Sequence, residues 1–226
     1  MAPGYEILFF WVARMILMSG FLLGSTPFKH VFLHGMVRDK DGRKFSKSLD
    51  NGIDPLDMIE KYGADAVRMS LLVGAAAGSD IKFDESRVKG YKLFSNKLWN
   101  IARFVLDGAE GMPEGALTEG DKKLRDECDL LIKDLTEDLN KHRVYMAAEK
   151  LYHYVWDRLA AEIIEESKPL LKGGDAAVKT SRRTLLLSLF SDSLKLLHPF
   201  MPFITEEIWS SLPNKKDLLM VESWPA

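Results

Sequence analysis

With 226 residues, 46% of them hydrophobic and 28% charged, the chain is long enough for one large domain or two small ones and too apolar for disorder. A formal charge of −2 at pH 7 excludes a global basic field, so contacts with nucleic acid must come from local patches. The single cysteine, Cys128, excludes an internal disulfide, and no Cys/His group has structural-zinc spacing; no bound metal and a reducing, cytoplasmic setting are expected.

Ile7 to Leu23 is almost continuously apolar, close to the length of a membrane span. Arg14 near its centre would cost roughly 2.5–3.5 kcal/mol on insertion scales, and no basic residue precedes the run as a signal peptide requires. The stretch therefore predicts a buried helix of a soluble protein, not a membrane anchor. A helix apolar on nearly every side needs cover from other elements, and few residues precede it, so the fold is expected to be entered in its middle.

Gly24-Ser25-Thr26-Pro27 breaks the chain, and His30 to Val37, β-branched and apolar, predicts a buried strand. Asp39-Lys40-Asp41-Gly42 carries the Asp-Gly signal of a tight turn. A polar loop, Arg43 to Asn51, leads to Asp54-Pro55, a helix cap followed by a first-turn proline. That helix is expected to reach Tyr62; Gly63 interrupts it, and Asp65 to Val73 is the next. Gly74 to Ser79 is the expected boundary between the two halves.

From Asp84 onward the pattern is helical. A first long helix is predicted over Glu85 to Leu106, ending before Gly108. The second carries Leu124, Cys128, Leu131, Leu135 and Leu139 on one stripe, which makes Cys128 a packing residue. The third carries Ala148, Leu151, Val155, Leu159 and Ile163 and is expected to close at Pro169. The fourth, Ala176 to Leu197, stops at His198-Pro199, and Thr205-Glu206-Glu207 opens a short fifth. Trp99, Trp156 and Trp209 are expected in the core. One apolar face per helix implies a bundle.

Between Met36 and Ser48 lie five cations, Arg38, Lys40, Arg43, Lys44 and Lys47, against two carboxylates, Asp39 and Asp41. A concentrated positive loop after a buried strand is suited to polyphosphate, since lysine is a compact charge on a flexible stem. Lys44-Phe45-Ser46-Lys47-Ser48 resembles the K-M-S-K-S signature of class I aminoacyl-tRNA synthetases, with Phe45 in place of Met. Asp50 and Gly52 depart from the S-L-G-N-V pattern that usually follows. Gly4 to Met15 resembles the T-G-Y-D-I-L-F-F-W-V-A-R-M segment of the valine-specific branch. Further matches are His34-Gly35-Met36-Val37-Arg38-Asp39, Ile53 to Asp57, Tyr62 to Arg68, Asn96 to Asn100 and Leu197 to Trp209.

The resemblance implies a mostly α chain. A carboxy-terminal remnant of a Rossmann-type α/β catalytic domain, residues 1–82 with the K-F-S-K-S loop, is followed by an α-helical anticodon-binding bundle, residues 83–226. It implies an ATP-dependent ligase that activates valine and transfers it to tRNA-Val, with Mg-ATP as substrate and the enzyme a monomer. Lys44 and Lys47 would contact the ATP phosphates and stabilise the leaving pyrophosphate, with Ser46 and Ser48 shaping the loop. His34, Met36 and Val37 would border the adenine. Ile7 and Trp11 would line the amino-acid pocket, and Glu6 stands where the family has Asp. Asn100, Arg103 and Phe104 fall where the family meets the anticodon, which suits an aromatic for stacking and polar groups for base edges.

The family's other ATP signature, an H-I-G-H tetrapeptide, is absent from these residues, as are an editing-type insert and a basic coiled arm. Adenylate formation needs groups aligned on both sides of the triphosphate, so the chain by itself is expected to be catalytically inert. The alternatives are a stand-alone tRNA-binding module derived from a synthetase, and part of an isoleucine or leucine ligase.

Overall fold

The computed structural model describes residues 1–107, 115–213 and 217–225. Its amino-terminal part is held by short parallel strand pairings. The strand β1, Val37–Arg38, pairs in parallel with β2, Ile81–Lys82, in the register Val37 with Ile81 and Arg38 with Lys82. Upstream, Gly4 bridges His34 in parallel, with amide bonds from Tyr5 to His34 (3.1 Å) and from His34 to Pro3 (3.0 Å). Residues 1–5, 32–38 and 78–83 thus lie side by side, the middle segment paired on both edges.

The regular part of the middle segment is two residues long, against the buried strand expected over His30 to Val37, and residues 31–38 are only half-buried or exposed. The extended path is there, and Val37 packs on the buried cluster of Ala66, Val67, Phe83 and Val88, but the apolar side chains upstream of it are not enclosed. Gly35 is fixed by close approach: a Cβ on it would sit 1.7 Å from the Ser79 carbonyl oxygen. Asp80 knots the three segments by accepting from the Met36 amide (2.8 Å), the Tyr5 hydroxyl (3.2 Å) and the Arg38 guanidinium. The Met36 amide, followed by Arg38, holds its carboxyl below the usual range.

The apolar run is helical: a 3-10 turn Tyr5–Ile7, a π-helical stretch Leu8–Val12 and the helix α1, Ala13–Leu23. It is not buried as the sequence led us to expect. Only Val12 is enclosed, while Phe9 is 79% and Phe21 84% exposed. Apart from the π-helical stretch it continues, no described helix or strand packs closely along α1. By length and composition alone, with a mean hydropathy of 1.8, Tyr5–Leu23 is long and apolar enough to cross a membrane.

The helix α2, Pro55–Tyr62, starts as expected, with Asp54 accepting from the Leu56 amide (2.8 Å) and Pro55 in its first turn. α3, Ala64–Leu72, follows Gly63, whose φ of +91° lets the chain turn sharply between them. α3 then packs along α4, Glu85–Leu106, which Asp84 caps through the Arg87 amide (3.0 Å). The end expected for α4 agrees as far as Asp107; Gly108 lies outside the described residues.

The bundle continues with α5, Glu119–Asn140, and a rod composed of α6, Val144–His153, a π-helical stretch Tyr154–Ile163, and α7, Ile164–Gly173. It closes with α8, Ala176–Leu197, and α9, Pro202–Ser210. Phe94, Leu98, Cys128, Leu135, Leu151, Leu159, Leu189 and Trp209 form one contiguous core, and Met69 and Val73 from the region of α3 join it. Cys128 is fully buried, the packing role its stripe indicated.

Three local expectations are corrected. Pro169 does not end its helix, which runs to Gly173. Proline removes one donor, here the partner of the Glu165 carbonyl. Both residues lie on the exposed side of the rod, where water replaces the lost bond. α9 opens at Pro202, three residues before Thr205, because proline at the first position is preset for a helix; the Thr205 hydroxyl instead donates back to the Met201 carbonyl (2.8 Å). Trp99 is 43% exposed, whereas Trp209 is buried and Trp156 packs against the core. Leu98 and Ile101 occupy the inward face beside Trp99, which leaves the indole on the outer side.

Candidate functional site

The Lys44–Ser48 loop grows out of a turn. Gly42, at φ +83°, donates to the Asp39 carbonyl (2.9 Å), the Asp39 amide donates to the Arg43 carbonyl (2.9 Å), and Arg38 bridges Lys44 in antiparallel fashion. Beyond it, Ser46 accepts from the Ser48 amide (3.2 Å) and starts a 3-10 turn, Lys47–Leu49, with the two serine hydroxyls 2.7 Å apart. The turn ends at Asp50, which takes a left-handed φ of +45°. This is where the S-L-G-N-V pattern has glycine, and among L-residues Asp and Asn tolerate that region best.

The loop rests on the buried carboxylate of Asp39, only 5% exposed. One oxygen accepts from the amides of Asp41 (3.0 Å) and Arg43 (2.8 Å); the other accepts from Arg43 Nε (2.9 Å) and Asn51 Nδ2 (2.8 Å). The Asn51 amide, then the amide and guanidinium of Arg43, hold the Asp39 carboxyl down to about 2 against desolvation. Sequence reasoning counted Asp39 only as a negative charge and gave Asn51 no role. The match of Asn51 to the family pattern was the available signal.

Lys44 Nζ lies 2.9 Å from Glu6 Oε2, so the structure joins the phosphate-loop and pocket candidates. Both groups are solvent-accessible, which keeps this pair weak. Lys47 is exposed, and among the described residues its ammonium makes no ion pair. His34 stands against Gly4 through the strand bridge, its Nδ1 2.8 Å from the Gly35 carbonyl oxygen. The Met36 amide is engaged by Asp80 and its carbonyl by Ile81 (3.0 Å), and Val37 sits in β1. Ile7 and Trp11, 36% and 63% exposed, lie on the uncovered helix and enclose no pocket among the described residues.

Asn100, Arg103 and Phe104 are not brought to this loop. They occupy the far half of α4, roughly 23–29 Å along it from Glu85 at 1.5 Å per residue. Asn100 and Arg103 are exposed, whereas Phe104 is half-buried and packs on the core. Lys89, Lys92, Asn96, Trp99, Asn100 and Arg103 share one exposed stripe at helical spacing. From Ser86 to Leu106 the sequence has no carboxylate and five cations, while α5 has eight carboxylates and four cations. This helix is a local basic patch in a chain that is negative overall. Phe94 fastens its inner side, edge-on to Tyr152 with ring centroids 4.8 Å apart.

A further junction was not foreseen. On α3, Asp65 accepts from the amides of Phe203 (3.3 Å) and Ile204 (2.7 Å), and Arg68 donates to the carbonyls of Pro199 (2.9 Å) and Phe200 (3.1 Å). Two matched segments more than 130 residues apart are thus halves of one contact. Desolvation raises the Asp65 pKa, the two amide bonds opposing it. Among the described residues no group of three or more His, Cys, Asp or Glu side chains is arranged to hold a metal ion.

A parallel-strand platform, a lysine loop beside it and a helical bundle joined through α3 are the parts of a class I synthetase. The family profile for class I tRNA synthetases (I, L, M and V) matches residues 1–84, and that for the anticodon-binding domain of tRNA ligases matches residues 121–226. Solved structures agree. The LeuRS–tRNA–LeuAMS complex of Agrobacterium radiobacter superposes with a TM-score of 0.71 at 25% identity, over 99% of this chain and 28% of that one. Methionyl-tRNA synthetase of Mycobacterium tuberculosis with methionyl-adenylate gives 0.75 at 24% identity, over 92% and 42%. The chain belongs to the class I tRNA synthetases.

Within that class it is similar over its whole length to valine–tRNA ligases. It is 45% identical to that of Petrotoga mobilis over 234 aligned residues and 42% identical to that of Bacillus cereus over 231. In each case it spans 26% of the relative's length.

Proposed function

We propose that these 226 residues are part of an ATP-dependent valine–tRNA ligase, supplying its phosphate loop and a tRNA-binding helical surface. The observation that carries this reading is the loop itself: Lys44 reaches Glu6 of the valine-branch segment at 2.9 Å, and Lys47, on a capped turn three residues on, has no ion pair among the described residues.

In valine activation the valine carboxylate attacks the α-phosphorus of ATP and pyrophosphate leaves. Catalysis of such a transfer is mostly positioning and charge stabilisation. The two ammonium groups neutralise the departing phosphates; Lys44 can exchange Glu6 for a phosphate oxygen, and Lys47 has no competing ion pair among the described residues to give up. At about 4 Å, one such charge pair is worth roughly 1 kcal/mol at the dielectric of water and roughly 4 kcal/mol at an effective value near 20. The corresponding rate factors run from about fivefold to about a thousandfold. Residues 1–226 contain no H-I-G-H tetrapeptide, and by themselves they do not complete the reaction.

The acid-free stripe on α4, from Lys92 to Arg103, is the proposed tRNA surface, with Trp99 as its exposed stacking platform beside Asn100 and Arg103. Arg14, within the apolar helix, counts against a membrane span, and the ligase is proposed to be cytoplasmic and monomeric, with further protein covering that helix. The decisive experiment is Lys47→Ala in the complete ligase. Valine-dependent ATP–pyrophosphate exchange should fall by about a hundredfold to a thousandfold at unchanged tRNA affinity. Undiminished exchange, or equal loss of both, would refute the phosphate role.

A further inference from the structure

We propose that Asn51, seated on the buried carboxylate of Asp39, is a positioning residue that presents Lys44 and Lys47 to the triphosphate. The inference rests on the phosphate-loop reading and adds to it the device that sets the loop's shape before the nucleotide arrives. The Asn51 side chain bonds both peptide groups flanking Phe45: Nδ2 donates to the Lys44 carbonyl (3.2 Å), and Oδ1 accepts from the Ser46 amide (2.9 Å). The same Nδ2 donates to Asp39 Oδ2 (2.8 Å).

The left-handed turn at Asp50 reverses the chain and brings Asn51 back against Lys44. The loop is therefore closed at its base by one amide side chain and left open at its tip, where Lys47 lies. Asp39 is tied to the strand platform through Arg38 and the turn amides, so the lysines inherit their placement from β1. Bonds to an ionised acceptor are about twice as strong as neutral ones, and a preset loop spares the ordering cost at the moment of reaction. Nothing in this arrangement requires Asn51 to touch substrate.

Asn51→Ala, Lys47→Ala and the double variant in the complete ligase test the inference by valine-dependent ATP–pyrophosphate exchange, with melting temperature and tRNA affinity measured alongside. Asn51→Ala should lower kcat tenfold to a hundredfold, leave the KM for valine and the tRNA affinity unchanged, and cost distinctly less rate once Lys47 is gone and only Lys44 remains to be placed. Asn51→Asp sets a second carboxylate against Asp39 and cannot donate to the Lys44 carbonyl, so it should be as slow as Asn51→Ala.

Near-normal exchange by Asn51→Ala or by Asn51→Asp, or losses that multiply in full in the double variant, would each overturn the positioning role. Near-normal exchange by Lys47→Ala would overturn the phosphate reading, and this inference with it.

Discussion

Removing the guanidinium of Arg182 should cost the helical bundle several kcal/mol, and removing its partner as well should restore the loss. Asp121 on α5 and Arg182 on α8 are 1% and 8% exposed, with Nη2 2.7 Å from Oδ1. Ser181 donates to the same carboxylate, and Arg182 reaches Ser167 of α7 at 3.3 Å. Satisfaction is incomplete: Asp121 Oδ1 has no aligned donor and Arg182 Nε has no acceptor among the described residues. Arg182→Met therefore strands a buried carboxylate supported mainly by one hydroxyl, a loss of about 3–5 kcal/mol. With a urea dependence of about 2–3 kcal/mol per molar, the midpoint falls by roughly 1–2.5 M. Asp121→Leu with Arg182→Met removes both desolvation costs and should be neutral or more stable by about 1–4 kcal/mol. Urea unfolding followed by far-UV circular dichroism at pH 7 decides it. A single variant that loses under about 1 kcal/mol, or a double no more stable than the single, would show that the pair is not desolvated as its burial implies.

Three other outcomes are expected. Asp50→Gly removes a side chain from a left-handed position and a negative charge from the phosphate loop; stability should rise by about 0.5–1 kcal/mol and the KM for ATP should fall. Unchanged values for both would remove any strain or charge penalty from Asp50. Trp99→Ala should weaken tRNA binding by about 1–3 kcal/mol with stability unaltered, whereas Phe104→Ala, which takes a ring off the core, should lower the urea midpoint; the reverse assignment would place the stacking platform wrongly. The Asp39 carboxyl should titrate near 2 by NMR, below its unfolded value of about 3.9. The stability it contributes is therefore complete above about pH 3.9 and lost as pH falls through about 2. Asn51→Ala should move that titration upward, and an unmoved value would mean that other donors set it.

The bundle was legible because its helices are long and carry one apolar stripe each. The bounds of α2, α4 and α8 follow from Asp54-Pro55, Asp84 and the His198-Pro199 stop. Failures came where partners are distant or missing. The start of α9 depends on Pro202 and on a carboxylate supplied by Asp65, which no local pattern shows. Burial of Tyr5–Leu23 was inferred from composition, yet burial depends on what lies opposite, and nothing described here does. Trp99 was read as core because indole is apolar, although its position on α4 is fixed by the inward neighbours Leu98 and Ile101. At the Lys44–Ser48 loop the lysines were plain from charge and motif; the amide beneath them was not, since a lone asparagine after a turn looks like any other loop residue.

The Asp65–Arg68 grip on the turn before α9 makes the two halves mechanically inseparable. A chimera that exchanges the bundle between ligases at the start of α4 would carry a foreign turn into a native socket, with two amides and two carbonyls to be matched. Grafts that move α3 together with the bundle keep lock and key from the same parent.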